Sequence, residues 1–169
     1  VRSTAPDRIP LPELDDQQKR ELVGYLAGHW QSPEDYVIGK FADRDIVFLG
    51  GWPRIKHDVE LVQRLIPMLY SAGVRDLGLP YGSYEFQDTV DYLLNAPSYD
   101  ENLARWLVFK QFSFWAYAQY QDIYRRAWEL NQSLPADAPR FRIVHLNYRP
   151  HWELATTEMS AADSQEVWD

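Results

Sequence analysis

Residues 45–51 read Asp-Ile-Val-Phe-Leu-Gly-Gly, and residues 55–73 read Ile-Lys-His-Asp-Val-Glu-Leu-Val-Gln-Arg-Leu-Ile-Pro-Met-Leu-Tyr-Ser-Ala-Gly. The first stretch joins branched and aromatic residues to a glycine turn, which predicts a buried strand. The second places its apolar residues on one face of a helix that ends at Gly73. Residues 75–79 predict another strand, so these elements form a βαβ unit with parallel strands and a right-handed crossover.

Outside this unit, residues 141–147 predict a third strand, and helical spacing recurs on both sides. We expect helices over residues 16–30, 33–41, 84–94, 100–134 and 160–168. A helix over all of residues 100–134 would be about 50 Å long. A compact domain of this size does not accommodate such a length, so a break is expected near residues 113–118.

The predicted fold class is therefore α/β, with a small parallel sheet of about three strands covered by several helices. Prolines at positions 10 and 12 predict an extended arm over residues 1–14, and residues 15–169 are interpreted as a single α/β domain. Parallel sheets need cover on both faces. Three strands are few for so many helices, and a predicted helix at the end of the chain favours a domain that is part of a larger fold.

The composition narrows the class of protein. The chain has 169 residues, of which 46% are hydrophobic and 25% charged, and its formal net charge is −8. These values are typical of a globular domain. The negative charge predicts no nucleic-acid partner, since such a partner needs a basic face, and no apolar run reaches the roughly 18 residues of a membrane span. The absence of cysteine excludes disulfides and thiolate chemistry within this chain.

Aromatic residues make up 15% of the chain, and many of them fall between positions 109 and 124. Phe109, Phe112, Ala116, Tyr120 and Ile123 have the spacing of a core face, whereas the rings at positions 114, 115, 117 and 124 fall partly outside it. A helix that is apolar most of the way round is buried or meets a partner. We therefore expect either a homo-oligomer or cover by a C-terminal partner segment that this chain lacks.

Several short motifs resemble one protein superfamily. Asp45-Ile-Val-Phe-Leu-Gly50, Arg54-Ile-Lys-His-Asp58, Leu77-Gly-Leu79 and Phe141-Arg-Ile-Val-His-Leu-Asn147 are similar to segments in the N-terminal half of the erythromycin-esterase / ChaN-like haem-uptake / Tiki superfamily. The likeness covers roughly residues 34–152. It implies an α/β fold whose acidic and imidazole groups serve as metal ligands or as a general base.

The resemblance fails at the positions that carry the chemistry. Members of the superfamily have a Leu-Gly-Glu-x-His segment after the first strand, and here Gly51 replaces the Glu and Pro53 replaces the His. The Glu after the second strand corresponds to Pro80. The resemblance therefore implies a degenerate, non-catalytic domain with a binding or structural role. No cofactor is predicted, and haem or a divalent metal is implied by the resemblance alone.

An alternative reading keeps an activity. A metal-dependent hydrolase or haem-binding protein of the same superfamily would use substitute residues, and His57, Glu85 and His145 are the candidates. Each also has a plain structural interpretation: His57 in a solvated first helical turn, Glu85 at a helix start, and His145 as a half-buried strand residue. No two histidines have the i, i+4 spacing of a helical zinc site, so no metal site is predicted.

The turn between the first strand and its helix is the expected ligand site, because α/β sheets bind ligands at this place. Gly51, Trp52, Arg54, Lys56 and His57 are the predicted binding residues. Free N–H groups at the helix start and the basic side chains favour a small anionic ligand. Two simpler outcomes stay open: Asp58 and Glu60 cancel the charge, or the Trp52 ring folds over the site and fills it.

Overall fold

The computed structural model describes residues 13–52, 55–111 and 116–148. These residues form six α-helices and two strands. The helices are α1 (Asp16–His29), α2 (Pro33–Gly39), α3 (Lys56–Ser71), α4 (Gln87–Asn95), α5 (Glu101–Gln111) and α6 (Ala118–Ser133). The strands are β1 (Asp76–Ser83) and β2 (Arg142–Asn147), and short 3₁₀ turns occupy Lys40–Ala42 and Tyr84–Phe86. The fold is thus mixed α/β.

The chain divides into two compact units, Val1–Ser32 and Pro33–Asp169. In the first unit, helix α1 begins with a capping box in which the Asp15 side chain accepts from the Gln18 backbone and the Gln18 side chain accepts from the Asp15 backbone. No residue of α1 is buried. Most of the predicted arm, residues 1–12, lies outside the described residues.

The second unit contains the sheet. Strands β1 and β2 pair in parallel, with Leu77 opposite Ile143 and Leu79 opposite His145, which confirms the parallel arrangement predicted for these two strands. The register shifts between Leu79 and Ser83, so three residues of β1 lie opposite Leu146 alone. Such an irregularity bends a strand and re-aims its side chains.

The third predicted strand is not confirmed. Residues 46–52 carry no regular secondary structure, and Ile46 and Phe48 are 70% and 92% exposed, so the buried strand expected here is not observed. A strand is stable through hydrogen bonds with a neighbouring strand. Residues 45–49 have no such neighbour among the described residues, which leaves an apolar sequence in solvent.

Helices α4, α5 and α6 of the second unit contact the sheet, and α3 contacts α6. α4 and α6 pack on β2, α5 packs on β1, and α3 packs along α6. Alternate strand residues, including Leu79, Ile143 and His145, are buried. On the opposite face, Gly78 and Leu146 are exposed. The sheet therefore has one covered face and one bare face within the part of the chain that the structure describes.

The long helix predicted over residues 100–134 is broken, as expected from its length. Helix α5 ends at Gln111 and α6 begins at Ala118. Asn131 lies near the C-terminal end of α6, and its side-chain amide is buried. The amide donates a hydrogen bond to the Phe141 carbonyl at 2.9 Å and accepts one from the Phe141 N–H at 2.8 Å. This contact fixes the start of β2 against the helix. The predicted helix over residues 160–168 lies outside the described residues.

Candidate functional site

The turn before α3 is held by Asp58. The Asp58 carboxylate accepts a hydrogen bond from the Trp52 N–H at 3.1 Å, and the Trp52 carbonyl accepts from the Ile55 N–H at 3.3 Å. A Cβ at Gly51 would lie 3.3 Å from the same carboxylate oxygen. A carboxylate in the first turn satisfies free N–H groups and suits the helix dipole, so part of the predicted anion site is filled by the chain itself.

The basic residues of this turn also face a carboxylate. Lys56 Nζ lies 3.3 Å from one oxygen of Glu60, and His57 Nδ1 lies 3.7 Å from the other. The His57 side chain is 90% exposed. Exposed pairs of this kind contribute little stability, yet they offset the local charge that was expected to attract an anion. Pro53 and Arg54 lie outside the described residues, and an anionic ligand here stays a prediction.

The Trp52 ring does not fill the site. It is 77% exposed, so the expectation that it folds over the turn is wrong: the Asp58 contact holds its backbone while leaving its ring in solvent. It belongs to a run of exposed apolar side chains, which we call the apolar corner. The apolar corner consists of Ile46, Phe48, Leu49, Trp52 and Ile55.

The second place of interest surrounds His145 on β2. The His145 ring is only 4% exposed. Its Nδ1 lies 2.9 Å from the Ser83 carbonyl, and its Nε2 lies 2.9 Å from the Tyr124 hydroxyl. A carbonyl can only accept, so Nδ1 carries the proton and the Tyr124 hydroxyl donates to Nε2. We call His145, Tyr124, Gln87, Ser83 and Gly82 the His145 cluster.

Gln87, the first residue of α4, binds the edge of β2 next to this ring. Its Oε1 accepts from the His145 N–H at 2.9 Å, and its Nε2 donates to the Ile143 carbonyl at 2.9 Å and to Asp91 at 3.0 Å. The amide therefore satisfies the backbone groups that β2 directs away from β1. Both ring nitrogens and the backbone N–H of His145 have hydrogen-bond partners, which fix the position of the ring.

Burial dominates the titration of this region. It lowers the pKa of His145, against the opposing effects of the Ser83 carbonyl and of Asp91. It raises the pKa of Tyr81 well above its usual value, with further contributions from Tyr124 and Tyr120. A neutral imidazole whose Nε2 already accepts a hydrogen bond from the Tyr124 hydroxyl has no free position for general-base chemistry in this arrangement.

Two small residues of β1 complete the cluster, and the sequence interpretation missed both. A Cβ at Gly82 would overlap Cδ2 and Cγ of the His145 ring, so only glycine allows this approach. The Ser83 hydroxyl is buried without a hydrogen-bond partner among the described residues. The signal available was a Gly-Ser pair three residues beyond the predicted strand over residues 75–79, since glycine in a strand marks close approach.

The three candidates for substitute chemistry do not form one site. His57 lies in the first turn of α3, His145 is buried in β2, and Glu85 is exposed in the turn before α4. The structure shows no group of three His, Asp or Glu side chains able to hold a metal ion over residues 13–52, 55–111 and 116–148.

The open groove between α3 and α6, with a volume of about 610 Å³, is lined by none of these three candidates. None of the described helices combines the length and the apolar character needed to cross a membrane. No protein-family model, no curated protein and no solved structure matches the chain.

Proposed function

We propose that this chain is a non-catalytic binding domain that uses the apolar corner to bind an apolar protein surface. One observation carries the proposal. Five large apolar side chains within ten residues are exposed, from Ile46 to Ile55. Large apolar side chains exposed together on a domain mark an interaction site, and these five lie close together in the sequence.

The geometry of the ionisable residues supports a binding role over catalysis. A general base must reach its substrate and must have a free acceptor position. His57 reaches solvent but lies beside Glu60 on a solvated helix turn. His145 has both nitrogens within hydrogen-bonding distance of partners and is buried. The role agrees with the degenerate member of the erythromycin-esterase / ChaN-like haem-uptake / Tiki superfamily that the motifs imply.

The proposal includes a three-stranded sheet in which residues 45–49 form the missing strand. The support is their content of branched and aromatic residues and their position before α3 and β1 in the chain. It also includes a protein partner, either a second copy of this chain or a separate apolar segment. A parallel sheet with one bare face lacks the cover that such sheets have.

Binding of the neutral apolar dye Nile red tests the apolar corner. A variant with Ile46→Ser, Phe48→Ser and Trp52→Ser should lower the dye affinity by about threefold or more, because it removes most of the exposed apolar area there. A matched variant with Leu22→Ser, Leu26→Ser and Trp30→Ser removes three exposed apolar side chains in and just after α1 and should change the dye affinity less. Equal affinity for wild type and the corner variant would refute the proposal.

A panel of aryl esters tests the alternative. Wild-type protein should hydrolyse p-nitrophenyl acetate no faster than buffer does, with and without added zinc or manganese. Turnover above that of buffer that is lost in His145→Gln, or in His57→Gln, would show that a substitute residue performs chemistry. The same variants should leave Nile red binding unchanged.

A further inference from the structure

We infer that the free edge of β1 is a docking surface for residues 45–49 of the same chain, which add there as a parallel strand. The inference rests on the proposed function, since it treats the apolar corner as a surface that is exposed to solvent in one state and contacts another apolar surface in a second state. It names the position that the segment occupies when it leaves solvent.

The order of the elements along the chain predicts which edge of the sheet residues 45–49 join. The connection from β1 to β2 runs through α4, α5 and α6, which contact the strands, and α3 contacts α6. Because Leu79, Ile143 and His145 are buried while Gly78 and Leu146 are exposed, we place these helices on one face of the sheet. About 98% of crossovers between parallel strands are right-handed. Two right-handed crossovers on one face move in the same direction across the sheet, so the strand before α3 lies beside β1 on the side away from β2.

The two edges of the sheet also differ in what covers them. Gln87 satisfies the Ile143 carbonyl and the His145 N–H, the groups that β2 directs outward. Just before β1, the Arg75 carbonyl accepts a hydrogen bond from the Arg142 N–H, so by alternation the backbone groups of Asp76 and Gly78 point away from β2. No described strand pairs with them. The open edge is therefore that of β1.

The end of the docking surface is set by Pro80. Proline has no N–H to offer a neighbouring strand and is found at edges for this reason. A docked strand consequently pairs along Asp76 and Gly78 and stops before Pro80. This length of two to three pairs suits a segment of five residues such as 45–49.

Burial along the segment sets which side faces the helices. Val47 is partly buried, whereas Ile46 and Phe48 are exposed. Alternate strand residues face opposite sides, so Val47 and Leu49 turn toward the helical layer and Ile46 and Phe48 toward the bare face. Phe48 then lies beside Gly78, an arrangement in which an aromatic ring covers an edge glycine.

The docked strand changes the bare face. Ile46 and Phe48 would join Val144 and Leu146, and Leu146 is already exposed. Docking thus moves apolar side chains from the turn onto the sheet face, where a protein partner can cover them together. Docking on the edge and exposure at the turn are alternative states of one segment.

Engineered cysteines test the docking directly, because the natural chain has none. Phe48→Cys with Gly78→Cys, and Ile46→Cys with Asp76→Cys, place thiols on adjacent strands in the inferred register. The matched controls are Phe48→Cys with Val144→Cys and Ile46→Cys with Arg142→Cys. Val144 and Arg142 lie opposite Gly78 and Asp76 on β2, one strand farther away, roughly 9–10 Å from the docked segment and beyond disulfide reach.

In a glutathione redox buffer, the test pairs should form an intramolecular disulfide about tenfold faster than the controls. Equal rates, faster cross-linking of the control pairs, or disulfides between molecules would each overturn the inference. A side chain at position 78 contacts the end of the Leu146 side chain. If the Gly78→Cys variant does not fold, the Ile46→Cys and Asp76→Cys pair provides the same test. Nile red binding is a separate readout, so failure of the proposed function and failure of docking are distinguishable.

Discussion

The histidine side chains of His57 and His145 lie in two regions of this molecule with very different surroundings. His57 stands in solvent beside Glu60, whereas His145 is enclosed, with its two nitrogens engaged by Ser83 and Tyr124. The apolar corner around the first is exposed and apolar, and the His145 cluster around the second is buried and polar. In a soluble domain the reverse distribution is more common.

This difference indicates that the His145 cluster serves folding stability and that the apolar corner serves binding. Buried polar groups that satisfy one another fix a unique structure, and the His145 cluster joins β1, β2, α4 and α6 in this way. Exposed apolar groups add nothing to an isolated fold but are available to a partner. Changes in the His145 cluster should therefore act on folding, and changes in the apolar corner should act on binding.

The largest expected effect is that of Gly82→Ala. The added methyl group overlaps the His145 ring, which the Tyr124 hydrogen bond holds in place, so unfolding free energy should fall by about 3 kcal/mol. Urea unfolding measures it. Gly39→Ala is the control, because a Cβ there meets nothing within 4 Å, and it should be neutral or stabilising. Similar values for the two variants would show that the ring is mobile.

Tyr124→Phe should come next, with a loss of about 2 kcal/mol. It removes the donor to His145 Nε2 and leaves a buried acceptor unsatisfied. Tyr36→Phe, at an exposed tyrosine, should change stability by less than about 0.5 kcal/mol. If Tyr124→Phe is as mild as its control, the hydrogen bond does not support the cluster.

The pH dependence of stability should distinguish the two histidines. Burial lowers the pKa of His145 in the folded state. As the pH falls, the imidazole is therefore protonated in the unfolded chain at a higher pH than in the folded protein. Stability should be complete above about pH 6.5 and fall as pH drops below that value, by at most about 1.4 kcal/mol per pH unit. Urea titrations between about pH 5.5 and 8 measure the slope. His145→Gln should remove it and His57→Gln should keep it; the opposite result would contradict the assignment.

Asp58→Ala should have a smaller effect on stability than these changes, about 0.5–1 kcal/mol. It removes the acceptor for the Trp52 N–H and a negative charge from the first turn of α3. Hydrogen exchange at Trp52 should rise in parallel. Asp88→Ala, an exposed acid in the first turn of α4, is the control for the dipole contribution. Unchanged exchange at Trp52 would show that the turn is held by other contacts.

Local signals in the sequence predicted much of this fold. The helices predicted over residues 16–30 and 33–41 match α1 (Asp16–His29) and α2 (Pro33–Gly39) closely, and Gly73, with a φ of 93°, marked the end of α3. The spacing of apolar residues located β1 and β2 and their parallel order. These features depend on residues close in sequence, which is why they can be read from it.

The remaining features depend on residues far apart in sequence. Gln87 meets the His145 backbone, and Gly82 meets its ring, across some sixty positions. Neither contact produces a periodic pattern in the amino-acid sequence. The strand predicted at residues 45–49 is not observed for a related reason: its composition favours a strand, but strand formation also requires a neighbouring strand edge. The sequence identified His145 as a candidate and could not show that both its nitrogens are bonded.

Urea unfolding of the variant with Ile46→Ser, Phe48→Ser and Trp52→Ser tests the central claim most directly. If the apolar corner is free for a partner, its side chains contribute little to the isolated fold, and unfolding free energy should stay within about 0.5 kcal/mol of wild type. Burial of these side chains in the domain's own core would instead cost about 2 kcal/mol or more for each substitution. A total loss of several kcal/mol would contradict the account.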